Sequence, residues 1–344
     1  MGMKNNMNED IIKFTRNFEL SNCLSNSSFL ITGATGLIGS VLVKCLLALN
    51  KDISITIPVR DLTKAQFIFK DYASQLKIVE CDLTDYLGHL EEHFDYIIHL
   101  ASPTSGKYFI EHPAETYQLA IDSTERILNY ARKQQIRGFV YASSLEIYGE
   151  NSDDNPISES FRGYIDYSSS RSSYPLGKRA AEYLCFAYAK EYSIPAKVAR
   201  LTQTFGAGVS SKDNRVFAQF ARSVISGSDI ILHTKGESAK PYCYTTDCIS
   251  ALLYILIKGE AGEAYNVANP DTYISIYDMA MFLKEKFYPS INIVIEEHPE
   301  LGYAPVTKLK LATDKLMSLG WKPKYSLIEM FNNLIDSLKY ETYK

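Results

Sequence analysis

The 344-residue chain predicts an α/β fold, a doubly wound parallel sheet followed by a smaller mixed C-terminal lobe. Three observations carry that expectation. Short apolar runs rich in β-branched residues alternate with longer helix-like segments, the pattern of βαβ units. A glycine-rich turn joins the first run to the first of those helices, and the alternation breaks down after about Gly206.

The elements follow in order. Residues 1–27 form an N-terminal helical extension, with a polar helix expected from Asn8 to Cys23. Strands are expected at Ser28–Thr32, Ile53–Val59, Leu76–Glu80, Tyr96–Leu100, Gly138–Ala142 and Ala196–Leu201. Between them Leu37–Leu49, Ala114–Lys133 and Tyr174–Glu191 are long enough for crossover helices. Residues 28–205 thus make the first domain, with part of 229–268 returning to it. The rest of 206–344 makes a discontinuous substrate-binding lobe, punctuated by turn signals at Gly206–Gly208, Lys235-Gly236 and Asn269-Pro270. Leu316 to Trp321 and a helix over Ser326–Tyr340 read as a terminal cap. The segment Glu150–Ser173, rich in Ser, Asp and Asn, reads as a surface loop beside Tyr174.

Composition narrows the function classes. Hydrophobic residues are 46% and charged residues 22% of the chain, which excludes disordered, collagen-like and coiled-coil architectures. Net charge is -4, too mild to attract nucleic acid or a membrane surface. Small-molecule chemistry is the better expectation. The six cysteines form no CxxC pair, the pattern of free thiols in a reducing compartment, the cytoplasm. No apolar run reaches the roughly 18 residues of a membrane span, and the start lacks the apolar core of a signal peptide. The 25 tyrosines are spread over the whole chain.

The turn Thr32-Gly33-Ala34-Thr35-Gly36-Leu37-Ile38-Gly39 lies directly between the first strand and its helix. Glycines there permit a tight turn, close approach of backbone to a pyrophosphate and close helix-strand packing. The helix N-terminus adds unpaired N–H groups and a positive dipole end. This strand-turn-helix context marks a Rossmann-type dinucleotide site. Acidic residues at the end of the second strand select NAD by holding the ribose 2'-OH. Here Val59 falls at that position, followed by Arg60, whose guanidinium suits a 2'-phosphate. NADP is slightly favoured over NAD, with Asp61 as the acidic alternative.

Tyr174 and Lys178 form a YxxxK pair at the start of a helix, and the i, i+4 spacing puts both on one face. A nearby ammonium favours a phenolate, a base suited to an alcohol proton. The GxxGxxG spacing and this pair together resemble the extended short-chain dehydrogenase/reductase family. The resemblance implies cofactor contacts from Asp82 and Leu83 after the third strand and from Leu100, Ala101 and Ser102 after the fourth. It also implies that Ser144 hydrogen-bonds the reacting sugar oxygen, and that Asn214 and Lys240 contact the diphosphate of a nucleotide sugar.

Glu146 bears on reaction type. In the similar 4,6-dehydratases and UDP-glucuronate decarboxylases a Glu stands there, and in the dehydratases it removes the C5 proton. The dehydratases precede it with an acidic Asp, whereas this chain has Leu145. The wider likeness, from about Ser28 to Trp321, is to UDP-glucuronate decarboxylases. It includes His99 to Pro103, Gly177 to Glu182 and Tyr242 to Asp247. Two departures argue against UDP-glucuronate itself: Lys240 replaces an arginine, and Ala304-Pro305 replaces an Arg-Pro pair. The expected function is therefore an NAD(P)-dependent nucleotide-sugar epimerase or dehydratase working through transient oxidation at C4, in surface polysaccharide precursor synthesis. Net NADPH-dependent reduction of a keto-sugar is the alternative, and a cofactor-sensing protein the remote one. By resemblance the protein pairs as a homodimer through the helices Ala114–Lys133 and Tyr174–Glu191. His89 to His93 matches an HxxEH zinc-peptidase pattern, but it falls in a crossover with no third ligand. His99 is expected to be packed and hydrogen-bonded, and Cys243 and Cys248 lack metal-ligand partners.

Overall fold

A computed structural model describes residues 6–84, 92–103, 106–298 and 305–342. Seven parallel strands make the main sheet: β1 (Ser28–Thr32), β2 (Ser54–Val59), β3 (Leu76–Glu80), β4 (Tyr96–His99), β5 (Gly138–Ser144), β6 (Ala196–Leu201) and β10 (Ala264–Val267). Their spatial order is β10-β6-β5-β4-β1-β2-β3, parallel throughout. Both faces are covered, so the strands are near-continuous apolar runs. β1 is buried from Phe29 to Thr32 and β6 along its whole length.

One face packs against α2 (Leu37–Ala48) and α8 (Thr245–Lys258), with α1 (Asn6–Asn17) outside them. The other packs against α5 (Pro113–Arg132) and α6 (Ser173–Tyr192). Local chemistry sets several ends: Asp61 Oδ1 accepts Lys64 N at 2.8 Å to cap α3 (Leu62–Ile68), and Pro113 opens α5, where a missing N–H is harmless. Strand order reverses at β1, with β2 on one side and β4 on the other. That switch point opens a crevice at the carboxyl ends, where Thr32 and His99 lie side by side.

A second apolar core lies beyond the sheet. It is framed by the three-stranded sheet of β7 (Gln203–Phe205), β9 (Ala239–Tyr244) and β11 (Asn269–Ser275), and by the parallel pair β8 (Ile230–Leu232) and β12 (Ile293–Ile295). The helices α7 (Val216–Ser226), α9 (Ile276–Phe287) and α11 (Leu327–Thr342) pack onto them. Short α4 (Gly106–Glu111) precedes α5, and short α10 (Asp314–Ser318) leads towards α11.

Three elements differ from the sequence expectation. The N-terminal helix stops at Asn17, because Phe18 turns inward to stack on Phe14 at 5.1 Å and Lys324 Nζ takes the Asn17 carbonyl at 3.1 Å. β5 runs two residues further, to Ser144, because β6 pairs with it through Ser144↔Leu201. The C-terminal helix is no mere cap: Met330, Phe331 and Leu334 are fully buried in the second core. Ahead of it Trp321 is buried, donating to Asp247 O at 3.2 Å and Ser250 Oγ at 2.9 Å.

Candidate active site

The glycine turn has the geometry its residues imply. Gly33 has φ +68°, and a Cβ there would lie 2.7 Å from Ala101 N and Leu100 C. A Cβ on Gly39 would strike the Gly33 carbonyl. Gly36 differs from both: it is exposed, with extended backbone, and the nearest atom to a Cβ is Gly33 O at 3.4 Å. Its side faces open space at the mouth of α2, whose N-terminus has no side-chain cap. Thr35, Leu37 and Ile38 flank it half-buried. Across the crevice Leu100, Ala101 and Ser102 are also half-buried, and the buried Ser102 hydroxyl has no partner among the described residues. An uncapped helix start, a glycine leaving room for phosphate and an orphaned hydroxyl fit a dinucleotide.

β2 and β3 continue the sheet beyond β1, and the residues that follow them are the sequence's candidates for the adenosine end. Val59 is buried, while Arg60 is exposed. Asp61 spends its carboxylate on the α3 cap. Asp82 Oδ1 accepts from Thr84 N at 2.9 Å and Thr84 Oγ1 at 2.8 Å. Those bonds, with Arg60 nearby, hold its carboxyl below the usual range. Leu83 is half-buried beside it.

Four of the sequence-selected side chains converge at the end of β5. Ser144 Oγ accepts Glu146 N at 3.2 Å, capping the turn Leu145–Tyr148, and hydrogen-bonds Tyr174. Lys178, buried on α6, donates from Nζ to Ala142 O at 2.7 Å, with Nζ 5.8 Å from the Tyr174 ring centroid. The Tyr174 phenol differs from expectation. Burial first and the Glu146 charge second push it above its ordinary value, and only Ser144 opposes them. Burial also takes Lys178 down to about 7, which weakens its hold on a phenolate at neutral pH. Phe109 of α4 stacks on Tyr174 at 4.4 Å and 6°, fixing the ring.

Glu146 is exposed, yet enough protein surrounds its carboxyl that desolvation raises it against the pull of Lys240 and Arg171. Lys240, on β9 opposite Ile274, is itself lowered by burial and raised by Glu146. It therefore lies close enough to Glu146 for each charge to act on the other. Asn214 stands apart. It is exposed in the loop before α7, its carbonyl accepts Gln219 Nε2, and no hydrogen bond joins its side chain to the described residues.

Sequence reasoning missed Arg171 and Phe109. Arg171 lies three residues before Tyr174, on the short 3-10 turn Ser170–Ser172, and that spacing was the available signal. Phe109 comes from a distant element with no motif to mark it. His99 is buried between Thr32 Oγ1, 2.7 Å from Nδ1, and Thr124 Oγ1, 3.3 Å from Nε2. Burial brings its pKa down to about 3, so the ring is neutral. Residues 89–91 of the HxxEH pattern lie outside the described residues. Glu92 pairs with Lys77 and Thr56, and His93 Nδ1 with Gln134 Oε1 at 3.0 Å. Among the described residues no group of three or more His, Cys, Asp or Glu is placed to hold a metal, no cysteine is in a disulfide, and no helix is long and apolar enough to cross a membrane.

Comparison with known proteins places this geometry. The family model described as the NAD dependent epimerase/dehydratase family matches residues 29–268. The chain is 29% identical over 313 residues to UDP-glucuronic acid decarboxylase 5 of Arabidopsis thaliana, covering 89% of this chain and 88% of that one. It is 27% identical to UDP-glucuronic acid decarboxylase 1 of Xenopus tropicalis, over 91% of this chain and 72% of that one. A solved UDP-glucose 4-epimerase of Thermotoga maritima shares the fold at TM-score 0.80 and 22% identity, over 92% of this chain and all of that one. The dTDP-glucose 4,6-dehydratase of Bacillus anthracis shares it at TM-score 0.74 and 20% identity, over 92% and 97%. The parallel sheet, its glycine turn and the matched span together show that this chain belongs to the NAD-dependent epimerase/dehydratase family of enzymes.

Proposed function

We propose that the protein is a nucleotide-sugar epimerase or dehydratase that oxidises its substrate transiently at C4. The observation that carries this is the convergence of Ser144, Glu146 and Lys178 on the Tyr174 ring at the end of β5. The relatives named as UDP-glucuronic acid decarboxylases support a nucleotide-sugar substrate, although Lys240 and the missing Arg-Pro pair disfavour UDP-glucuronate.

The glycine turn and the N-terminus of α2 would hold the pyrophosphate, Asp82 and Leu83 the adenine end, and Leu100 to Ser102 the channel towards the nicotinamide. When bound, an oxidised nicotinamide would supply the hydride acceptor and a positive charge that favours a phenolate. Ser144 holds the C4 oxygen. Tyr174 takes the C4 hydroxyl proton, and Lys178 supports the phenolate only to the extent that it stays charged against its burial. The C4 ketone acidifies C5–H; in a dehydration Glu146 takes that proton, the C5 electron pair expels the C6 hydroxyl to form the C5–C6 double bond, and Glu146, in the absence of an acid at Leu145, delivers the same proton to the departing oxygen so that it leaves as water. Arg171 and Lys240 favour the carboxylate form of Glu146 by opposing its desolvation. Hydride given back to the sugar, at C4 in an epimerisation or at C6 in a dehydration, would leave no net consumption of cofactor. Exposed Arg60 and the committed Asp61 favour NADP slightly over NAD. The reading extends to a cytoplasmic homodimer, paired through α5 and α6, that supplies surface polysaccharide precursors.

Mass spectrometry of the purified protein with UDP-, dTDP-, GDP- and CDP-sugars and NAD(P) tests the reading. A product lighter by water is a dehydration, and an unchanged mass with a new proton NMR spectrum is an epimerisation. Loss of carbon dioxide from UDP-glucuronate would overturn the inference from Lys240 and the missing Arg-Pro pair. Leu145 in place of an acid, with Arg60 exposed, favours a second reading, net reduction by NADPH. A gain of two hydrogens with matching loss of absorbance would select it.

A further inference from the structure

Helix α1 lies across the seam between the two cores. On the sheet side, Ile11, Phe14 and Phe18 enter the first core. Tyr254 Oη of α8 donates to Glu19 Oε2 at 3.3 Å, and Lys44 Nζ of α2 approaches Met7 Sδ at 3.7 Å. On the other side Lys324 Nζ binds the Asn17 carbonyl, and Met7 rests against Gly208. The centre of the joint is Asp10, only 4% exposed. Its carboxylate accepts the Tyr244 hydroxyl and a second hydrogen bond from Tyr325, whose ring stacks on Tyr244 at 4.0 Å.

These contacts lead into the substrate side of the cleft. Tyr244 ends β9, the strand that carries Lys240. Its hydroxyl also accepts Ala207 N at 3.5 Å, and Gly208 N donates to Ser337 Oγ of α11 at 3.0 Å. Both amides belong to the loop that runs on to Asn214. We propose that α1 is a strap, with Asp10 as the positioning residue that holds the Lys240 strand and the 206–213 loop against the cofactor side. The substrate part of this rests on the proposed function; the docking part does not.

The charges around Asp10 come from every packed element. Glu9 and Lys13 lie on α1, with Glu329 of α11 near Lys13. Cys45 of α2 faces Asp10. Asp247 of α8 stands near, accepting Lys324 N at 2.9 Å and Tyr325 N at 3.1 Å, and burial pushes its carboxyl up to about 7, so it titrates in the same window as Asp10. Burial outweighs the tyrosine bonds and Lys13, raising Asp10 from 3.8 to about 6. A group raised in the docked state favours docking when protonated. The preference is full below about pH 4 and is lost as pH rises through about 6, by about a hundredfold in the docking equilibrium.

The test uses the full chain. Amide exchange, corrected for its intrinsic pH dependence, should show α1 opening about a hundredfold more often at pH 7.5 than at pH 4. Asp10→Asn should flatten that dependence. Calorimetry with UDP as probe should show binding about tenfold weaker in Asp10→Ala, restored in Asp10→Asn, with NAD(P) affinity unchanged. If Asp10→Ala does not fold, Tyr325→Phe, which keeps the ring stack, should show the same pattern in smaller degree. Unaltered exchange of 206–213 in the variants, or a pH dependence of α1 opening that Asp10→Asn leaves undiminished, overturns the proposal; the part that remains in Asp10→Asn belongs to Asp247. Wild-type protein that ignores UDP would instead sink the nucleotide-sugar reading, and the exchange measurement would still decide the strap.

Discussion

Two glycines three residues apart should fail in opposite ways when each becomes alanine. At Gly33 the alanine would sit at φ +68°, costing about 1–2 kcal/mol for an L-residue. Its Cβ would also press to 2.7 Å against backbone atoms of Leu100 and Ala101, where overpacking costs about 1–3 kcal/mol. Gly33→Ala should therefore lose about 2–5 kcal/mol of stability. At Gly36 the backbone is already extended, and the nearest atom to a Cβ is 3.4 Å away. The remaining cost is the poorer helix-capping preference of alanine, about 0.5–1 kcal/mol. The same Cβ would occupy the space left for phosphate, so Gly36→Ala should bind NAD(P) about 10- to 100-fold more weakly, or about 1.4–2.8 kcal/mol. Urea unfolding and calorimetric titration of NAD(P) on both variants measure the pair. A Gly36→Ala protein with wild-type cofactor affinity would refute the assignment of this turn as a phosphate cradle.

Tyr174→Phe keeps the stack on Phe109 but lacks the hydroxyl. Turnover should fall by about 10²–10⁴-fold while NAD(P) affinity stays within about threefold, and a fully active variant would end the mechanism. Lys240→Met removes a cation that pulls Glu146 down, so the acidic limb of the kcat profile should move to higher pH; a limb that stays put would exclude Glu146 or Lys240 from the step. Lys178 is lowered by burial from 10.5 to about 7, so the folded protein binds fewer protons than the unfolded chain between those values and gains stability as pH rises through that window. Lys178→Met should lose this gain, seen as a flatter curve of unfolding free energy between pH 7 and pH 10. Tyr183, 70% exposed on α6, should carry the proposed α5-α6 pairing, and Tyr183→Glu should convert a dimer to a monomer on size exclusion.

Much of the architecture was legible because it is written in local chemistry. Alternation of buried β-branched runs with helical segments marks a parallel sheet, and Gly33, Gly36 and Gly39 stand where only glycine lets backbone pass backbone or phosphate. The Tyr174–Lys178 spacing puts two side chains on one helical face whatever surrounds them. The fold then decided what spacing cannot express. Burial depends on the whole packed body, so it took the tertiary structure to push the Tyr174 phenol up and the Lys178 ammonium down, the reverse of the shift expected for the phenol. Long-range approach likewise brought Phe109, Arg171 and Lys240 to Tyr174 and Glu146 while leaving Asn214 exposed and apart. The N-terminal segment read as a polar lead-in, since its apolar residues are few. Only docking across two cores turned Ile11, Phe14 and Phe18 inward and buried Asp10 between two tyrosines, because desolvation and contact are properties of the assembled surfaces and of no single segment.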